Sequence, residues 1–397
     1  MKSQFKQSFS KLKSYCEAED FKGWDPYDGL NSKIFKVLPL KYWDLARLAW
    51  IQGFKRSPIN FRKLLLVPKE HNAKGIALFL LGYCKLYKAA LKGDESFGSK
   101  DEILNQIKYI TQLLLSLKSK GFSGACWGYN FDWQARRLFL FKKNTPTVVA
   151  TAFCVEALLE SYELTKNGQV LEEALSAADF VLNDLSRTPC KDGFLFSYSI
   201  KDGNNTVINA SLLGAKILSY AYKYTKDKKY FEPAQKAILA ACQLQEKDGS
   251  WVYGLLEIQS WKDSFHTGFN LDAIFAYQDN TSDISFQDYI EKGMDFYISH
   301  FFEENGMPKY YHNKTYPIDI HCPAQIIVTA SKLKKFKENE SLLETVLSWT
   351  INNMQHKKGY FYYQLKKGIS SKISYMRWSN AFMFNAMAHF NLETQPE

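Results

Sequence analysis

Two kinds of apolar pattern alternate along this chain. One is apolar on nearly every side over about 10 to 16 residues, as in 147–162 (TVVATAFCVEALLESY), 206–220 (TVINASLLGAKILSY), 266–277 (HTGFNLDAIFAY), 321–330 (HCPAQIIVTA) and 378–388 (WSNAFMFNAMA). The other, near 101–119, 169–187, 230–246, 285–302 and 339–355, keeps its apolar positions on one face and turns Lys and Glu outward. The all-apolar unit returns about every 55 to 60 residues, so one supersecondary unit is used repeatedly. The stretch 73–91 reads as a further inner helix, with 39–54 as its outer mate. An inner helix must touch neighbours on both sides and a cover outside, which predicts six inner helices near 73–91, 147–164, 206–224, 266–278, 320–335 and 376–391 inside six outer ones.

Short segments with period-two aromatic alternation precede most inner helices: 193–199 (GFLFSYS), 249–254 (GSWVYG), 306–311 (GMPKYY) and 359–364 (GYFYYQ). They predict hairpin strands on the rim that carries the inner-helix N-termini. The expected fold class is therefore all-α, an (α/α)6 toroid of about twelve helices with short β-hairpins at the active-site rim. No composition break divides the 397 residues, so one domain over 1–397 is expected.

Aromatic residues make up 16% of the chain, more than packing alone requires, which points to rings lining a surface or cavity. The net charge of +10 comes from dispersed lysines and suits a solvated face, an acidic glycan or peripheral contact with a membrane surface; nucleic acid is not expected, because no binding motif is present. Seven cysteines without paired spacing argue for reduced thiols and a cytoplasmic setting. No signal peptide and no transmembrane segment is expected.

Helix N-termini gathered at one opening present free N–H groups and favour an anion. His266 and His321 stand at corresponding points of successive units and suit proton transfer near neutral pH. Asp319, Tyr375 and Arg377 complete the candidate catalytic set, the Arg fork matching a carboxylate. Asp25, Asp28, Trp127, Tyr129, Asp132, Arg136, Asn209, Tyr311 and Trp378 are candidate substrate contacts, the rings for stacking on sugar faces and the polar groups for hydroxyls or a carboxylate. Asp319, His321 and Cys322 lack a further ligand at metal spacing, so neither a metal nor any cofactor is expected.

With repeats and rim in place, the chain resembles the α/α toroid group of six-hairpin glycosidases, uronate lyases and glucuronyl epimerases. Gln245–Trp251 (QEKDGSW) is also similar to the Gln-Trp motif of terpene-cyclase toroids, where that motif ties helix ends together. The acid and diphosphate motifs of those cyclases are absent. The resemblance implies an intracellular enzyme on a uronic-acid-containing poly- or oligosaccharide, in surface-polysaccharide metabolism, acting by elimination, epimerisation or hydrolysis. Hydrolysis requires two carboxylates, drawn from Asp25, Asp28, Asp132, Asp263 and Asp319. The alternatives are a prenyl or terpenoid toroid enzyme and a non-catalytic glycan-binding protein. An enzyme on acidic sugars predicts a deep cleft with aromatic walls and clustered Asp, His and Arg.

Overall fold

The structure, a computed structural model, describes residues 2–135, 139–201 and 204–396. Six inner helices span Ala73–Leu91, Val148–Thr165, Ile208–Thr225, Ser264–Thr281, His321–Lys332 and Phe382–Glu393. Each packs on the next and the last packs on the first, so the inner ring closes. Outside the first five lie Lys100–Ser116, Gly168–Asn183, Lys228–Cys242, Gln287–Phe301 and Glu340–Met354.

The sixth outer position is filled by the chain's first helix, Ser3–Ala18, which packs on the last inner helix. The segment expected as the outer mate of 73–91, 39–54, instead contributes the helix Asp44–Arg56, which lies on the rim over the turn Asp28–Asn31 and the short strand Trp133–Gln134, and Lys100–Ser116 covers that inner helix. The physical reason is its apolar content: Ile51 and Phe54 are its buried positions, too few to cover an inner helix, whereas Phe5, Phe9, Leu12 and Cys16 give Ser3–Ala18 a full buried stripe.

Ring closure is visible in two repeated contacts. The amide at or beside the start of an inner helix donates to an aromatic residue's carbonyl in the following rim segment: Val148 to Tyr198 at 3.0 Å, Ile208 to Tyr253 at 3.2 Å, Ser264 to Tyr310 at 3.0 Å and Ile320 to Tyr363 at 3.2 Å. The π-helical turn Met376–Ala381 that opens the last inner helix continues the series back to the beginning of the chain, with Met376 N–H donating to Trp24 O at 3.1 Å. On the outer ring, Gln245 Nε2 donates to Gly249 O and to Tyr289 O of the next outer helix, both at 2.9 Å. Gln355 does the same to Gly359 O at 2.9 Å and Ser8 O at 3.0 Å, joining the last unit to the first helix.

Gly249 and Gly359 sit at these ties with φ of +88° and +102°, and a Cβ on either would run into a backbone carbonyl, Lys292 O or Lys11 O. The positive φ and the close approach both exclude larger residues. Trp251 Nε1 donates to Ala241 O at 2.9 Å and completes the tie that the Gln-Trp resemblance implied.

Half-way along the inner helices lies a cluster of buried charge. Glu156 accepts from Lys216 at 2.8 Å and Lys332 at 2.5 Å, and Lys332 also lies 3.6 Å from Asp272. Burial alone would raise the Glu156 pKa, but the two ammonium groups outweigh it and hold the carboxyl down at about 2. Among the described residues no helix is long and apolar enough to cross a membrane.

Gly249→Ala should cost about 3 kcal/mol, from collision with Lys292 O plus strain at positive φ; denaturant unfolding of the two proteins measures it, and a loss below 1 kcal/mol on that scale would mean that the tie is not tight. Glu156→Ala should cost about 3–5 kcal/mol, because it leaves Lys216 and Lys332 buried without their carboxylate; the same titration reads the loss.

Candidate active site

The hydrogen bonds that close the ring also set an aromatic wall around its mouth. Tyr129 and Tyr198 meet through their hydroxyls at 3.3 Å, Tyr253 packs on His266 with centroids 4.7 Å apart, and Tyr310 packs on Phe265 at 5.5 Å. These rings are partly exposed, as is Trp378. Below them the floor is closed by Phe153, Phe269 and Phe382, whose centroids lie 5.4 to 6.4 Å apart.

Asp263 precedes the fourth inner helix and its carboxylate does three things. It accepts the amide of His266 at 3.0 Å as an N-cap, receives the Trp261 indole N–H at 2.9 Å, and lies 2.7 Å from His266 Nδ1. A carboxylate on Nδ1 fixes the tautomer with the proton there and leaves the Nε2 lone pair free. His266 is partly exposed while Asp263 is buried.

His321 opens the fifth inner helix and is buried among rings: Phe265 stacks on it at 4.7 Å, Trp378 meets it edge-on at 4.6 Å, and Phe382 lies 3.5 Å away. Neither ring nitrogen has a hydrogen-bond partner among the described residues, and Asp319 stands 4.0 Å from Nδ1. Burial, with Lys74, Arg377 and His266 nearby, pushes its pKa well below the usual imidazole value, so the ring is neutral at pH 7. Asp319 is fully buried and accepts from Trp378 Nε1 at 2.9 Å, Gln364 Nε2 at 2.5 Å and its own neighbour's amide, His321 N–H, at 3.0 Å. Burial outweighs these donors and raises its carboxyl to about 6.

Arg377 is buried and clamped bidentately by Asp25, Nε at 2.5 Å and Nη2 at 2.8 Å, with its guanidinium 5.1 Å from both the Tyr129 and Trp378 rings. Asp28 is buried one layer behind. It pairs with Arg62 at 2.6 Å, and its carboxyl is raised to about 6 by burial. Arg62 also donates to Asp25 O at 2.8 Å and lies 4.8 Å from the Tyr375 ring, so Asp28 and Tyr375 support the Asp25–Arg377 clamp from behind. Asn209 is buried in the first turn of the third inner helix with its Oδ1 unsatisfied. Tyr311 bridges Asp263 and packs its ring 4.5 Å from Tyr310. Asp132 accepts the Lys143 amide at 2.7 Å and shapes the rim loop.

The mouth thus gathers His266, His321, Asp319, Arg377, Asp25, Tyr129 and Trp378. Trp127 is not among them. It has no exposed surface, and its indole donates to Leu114 O at 2.9 Å, as Trp251 donates to Ala241 O, so it is a helix tie and not a stacking surface. Its likeness to Trp251, each following a glycine closely, is the signal that separates it from the rim aromatics. Arg136 lies outside the described residues.

Lys74 escaped the sequence reading. Its ammonium lies 4.1 Å from the Phe153 centroid and 5.0 and 5.1 Å from those of Phe269 and Phe382, and no acceptor pairs with it among the described residues. Burial, and then the charge on Arg377, push its pKa well below the ordinary lysine value. A lysine in an otherwise apolar inner helix was the available signal. A small cavity is lined by Asp25, Asn72, Asn130 and Arg377, and one of about 380 Å³ opens beside it, lined by Tyr15, Trp24, Lys69, Tyr360 and Lys372 among others.

Neither a protein-family model nor a curated protein matches the chain. Solved structures do. A GH76 α-mannanase from Bacteroides thetaiotaomicron aligns at 15% identity over 81% of this chain and 86% of its own, with a TM-score of 0.61. Cellobiose 2-epimerase from Bacillus thermoamylovorans aligns at 14% identity over 81% and 89%, TM-score 0.57. A polysaccharide lyase aligns at 12% identity over 81% and 91%, TM-score 0.55. The fold is the α/α toroid. At these identities the likeness concerns the fold, and within that fold the toroid's mouth is the place where inner-helix starts converge.

The raised carboxyl of Asp319 gives a signed expectation. The unfolded chain loses this proton near the ordinary Asp value of about 4 and the folded toroid only near 6, so stability falls as pH rises across that window. Asp319→Asn removes the term. The variant's melting temperature should therefore gain on the wild type between pH 4 and pH 7, and a constant difference over that range would show that Asp319 titrates normally.

Proposed function

We propose that this protein is a carbohydrate-active enzyme that transfers a proton at a sugar carbon of a uronic-acid-containing glycan, by elimination or C5 epimerisation. The observation that carries this reading is the Asp263–His266 dyad, set among partly exposed aromatic rings at a mouth that also holds buried cationic groups. Nε2 of His266 is the base that takes the proton beside the substrate carboxylate, and Asp263 stabilises the imidazolium that results. Negative charge then grows on the substrate carboxylate. Lys74, Arg377 and the inner-helix N-termini supply the positive potential that favours it.

In elimination the C4–O bond breaks as the C5 proton leaves, and the departing oxygen takes a proton from Asp319, whose carboxyl is still partly protonated near pH 6. In epimerisation a different proton reaches C5 from the other face: His321, neutral at pH 7, gives its ring N–H proton as its other nitrogen takes the one on the Asp319 carboxyl, and so is the candidate relay. Tyr129 and Trp378 offer ring faces to the sugar. Paired His and Arg at the mouth speak against a terpenoid cyclase, whose pocket would be lined almost wholly by aromatics. Hydrolysis is the second reading, favoured by the raised Asp319 carboxyl, which suits a general acid.

Incubation with a panel of uronic-acid oligosaccharides tests this directly, following ultraviolet absorbance for a new double bond and mass in heavy water for deuterium uptake. His266→Ala should lower kcat/KM by about 10² to 10⁴, and His321→Ala and Arg377→Ala should abolish turnover, the second also losing about 3–5 kcal/mol of stability because Asp25 is left buried without its cation, which melting curves recorded beside the rates will show. Full activity in all three variants dismisses the assignment, and cleavage with neither absorbance nor deuterium gain turns it to hydrolysis.

A further inference from the structure

The segment 33–66 carries a surface that the mouth does not account for. Over these residues there are eight Lys and Arg against the single acid Asp44, a net +7 (8 − 1) within a chain whose total is +10; Arg62 is buried against Asp28, which leaves +6 for the surface (7 − 1). The same segment exposes large apolar side chains: Leu45 is 81% exposed, Val37 78%, Leu64 72% and Trp43 62%. Exposed side chains of this size are otherwise scattered singly or in short runs through the described residues.

The fold gathers these groups. Leu66 O accepts the Lys33 amide at 3.3 Å and Leu65 O accepts from Ser32 Oγ at 2.5 Å, so the strip 64–66 lies beside the turn of helix that begins at Lys33. The Lys41 ammonium reaches back to Lys36 O at 2.9 Å and lies 5.1 Å from the Tyr42 ring. Leu30, Phe35 and Ile51 form a small core beneath. The segment is therefore amphipathic, with an inner apolar face already used and an outer one that is not.

We propose that this outer face docks the toroid on an anionic lipid bilayer. The mixture of residues decides the occupant. Protein interfaces deplete Lys at their centres and concentrate apolar area, whereas here lysines alternate with Val, Leu and an adjacent Tyr–Trp pair, the composition that sits at a headgroup boundary with aliphatic stems inserted and ammonium groups among phosphates. A second copy of the same face would bring like charge against like charge. The docking segment is tied to the mouth: Lys55 Nζ donates to Tyr27 OH at 2.7 Å, Tyr27 packs 5.7 Å from Trp378, and Arg62 holds Asp28 and the Asp25 carbonyl. Docking brings that mouth to glycans carried at the membrane surface. This inference stands independently of the reaction proposed above.

Cosedimentation of the full chain with phosphatidylcholine vesicles, with and without phosphatidylglycerol, tests it. Binding is expected to the anionic vesicles, to weaken with added salt, and to be much poorer on phosphatidylcholine alone. The triple variant Lys33→Glu, Lys36→Glu, Lys41→Glu should bind roughly a hundredfold more weakly, at about 1 kcal/mol per lysine removed. The variant Trp43→Ser, Leu45→Ser, Leu64→Ser should also lose binding, with its melting curve as the check on folding. If that variant does not fold, the charge variant and the salt dependence decide alone. Failure of the wild type to sediment with anionic vesicles overturns the proposal, as does unchanged binding in the charge variant. So does a wild-type dimer in sedimentation velocity that the serine variant converts to monomer, because the face would then belong to a second copy.

Discussion

One hydrogen bond, repeated around the ring, organises the molecule: at five of the six inner-helix starts an amide at or beside the start donates to the carbonyl of an aromatic residue in the next rim segment. Its last instance, Met376 N–H to Trp24 O, joins residues 352 positions apart and turns an open series of hairpins into a closed one. A free amide at a helix start is an unsatisfied donor, and here that requirement is met across units. The consequence is architectural and chemical at once. Every inner helix must begin on the same rim, and every aromatic whose carbonyl is used is held at the mouth.

That convergence explains the charge at the site. Helix starts carry partial positive charge, so buried carboxylates are stabilised there, and Asp25, Asp263 and Asp319 each sit at or near one. Asp25 clamps Arg377, Asp263 orients His266, and Asp319 lies against Trp378 and Gln364 with a carboxyl raised by burial. Lys74 has no such partner among the described residues. Burial without an acceptor disfavours the charged ammonium there, and with Arg377 nearby it pushes the Lys74 pKa well below the ordinary lysine value.

The rim segment 33–66 shows how the toroid is extended. Its inner side reinforces the clamp through Arg62 and Asp28, and its outer side presents lysine and exposed leucine, valine and tryptophan. Because this segment lies on the rim, the outer ring is completed by Ser3–Ala18 on the last inner helix, and the Gln355–Ser8 tie secures it.

The sequence by itself determined the repeat, the six inner helices and the rim on which they start, because apolar periodicity and turn glycines are local properties that survive in one dimension. It also brought His266, His321, Asp319 and Arg377 to attention through their place ahead of inner helices. The tertiary structure alone decided the partners. Asp25 and Arg377 stand at opposite ends of the chain, and only ring closure makes them a bidentate pair. Trp127 and Trp378 both stand ahead of inner helices near the rim, set apart in sequence only by the glycine that precedes Trp127, yet one is a buried helix tie and the other faces the mouth. Which helix covers the last unit, and that 39–54 lies on the rim, depended on competition between apolar faces for the same groove. Periodicity is written along the chain; pairing is settled by which distant surfaces bury most apolar area and satisfy most donors when the ring shuts.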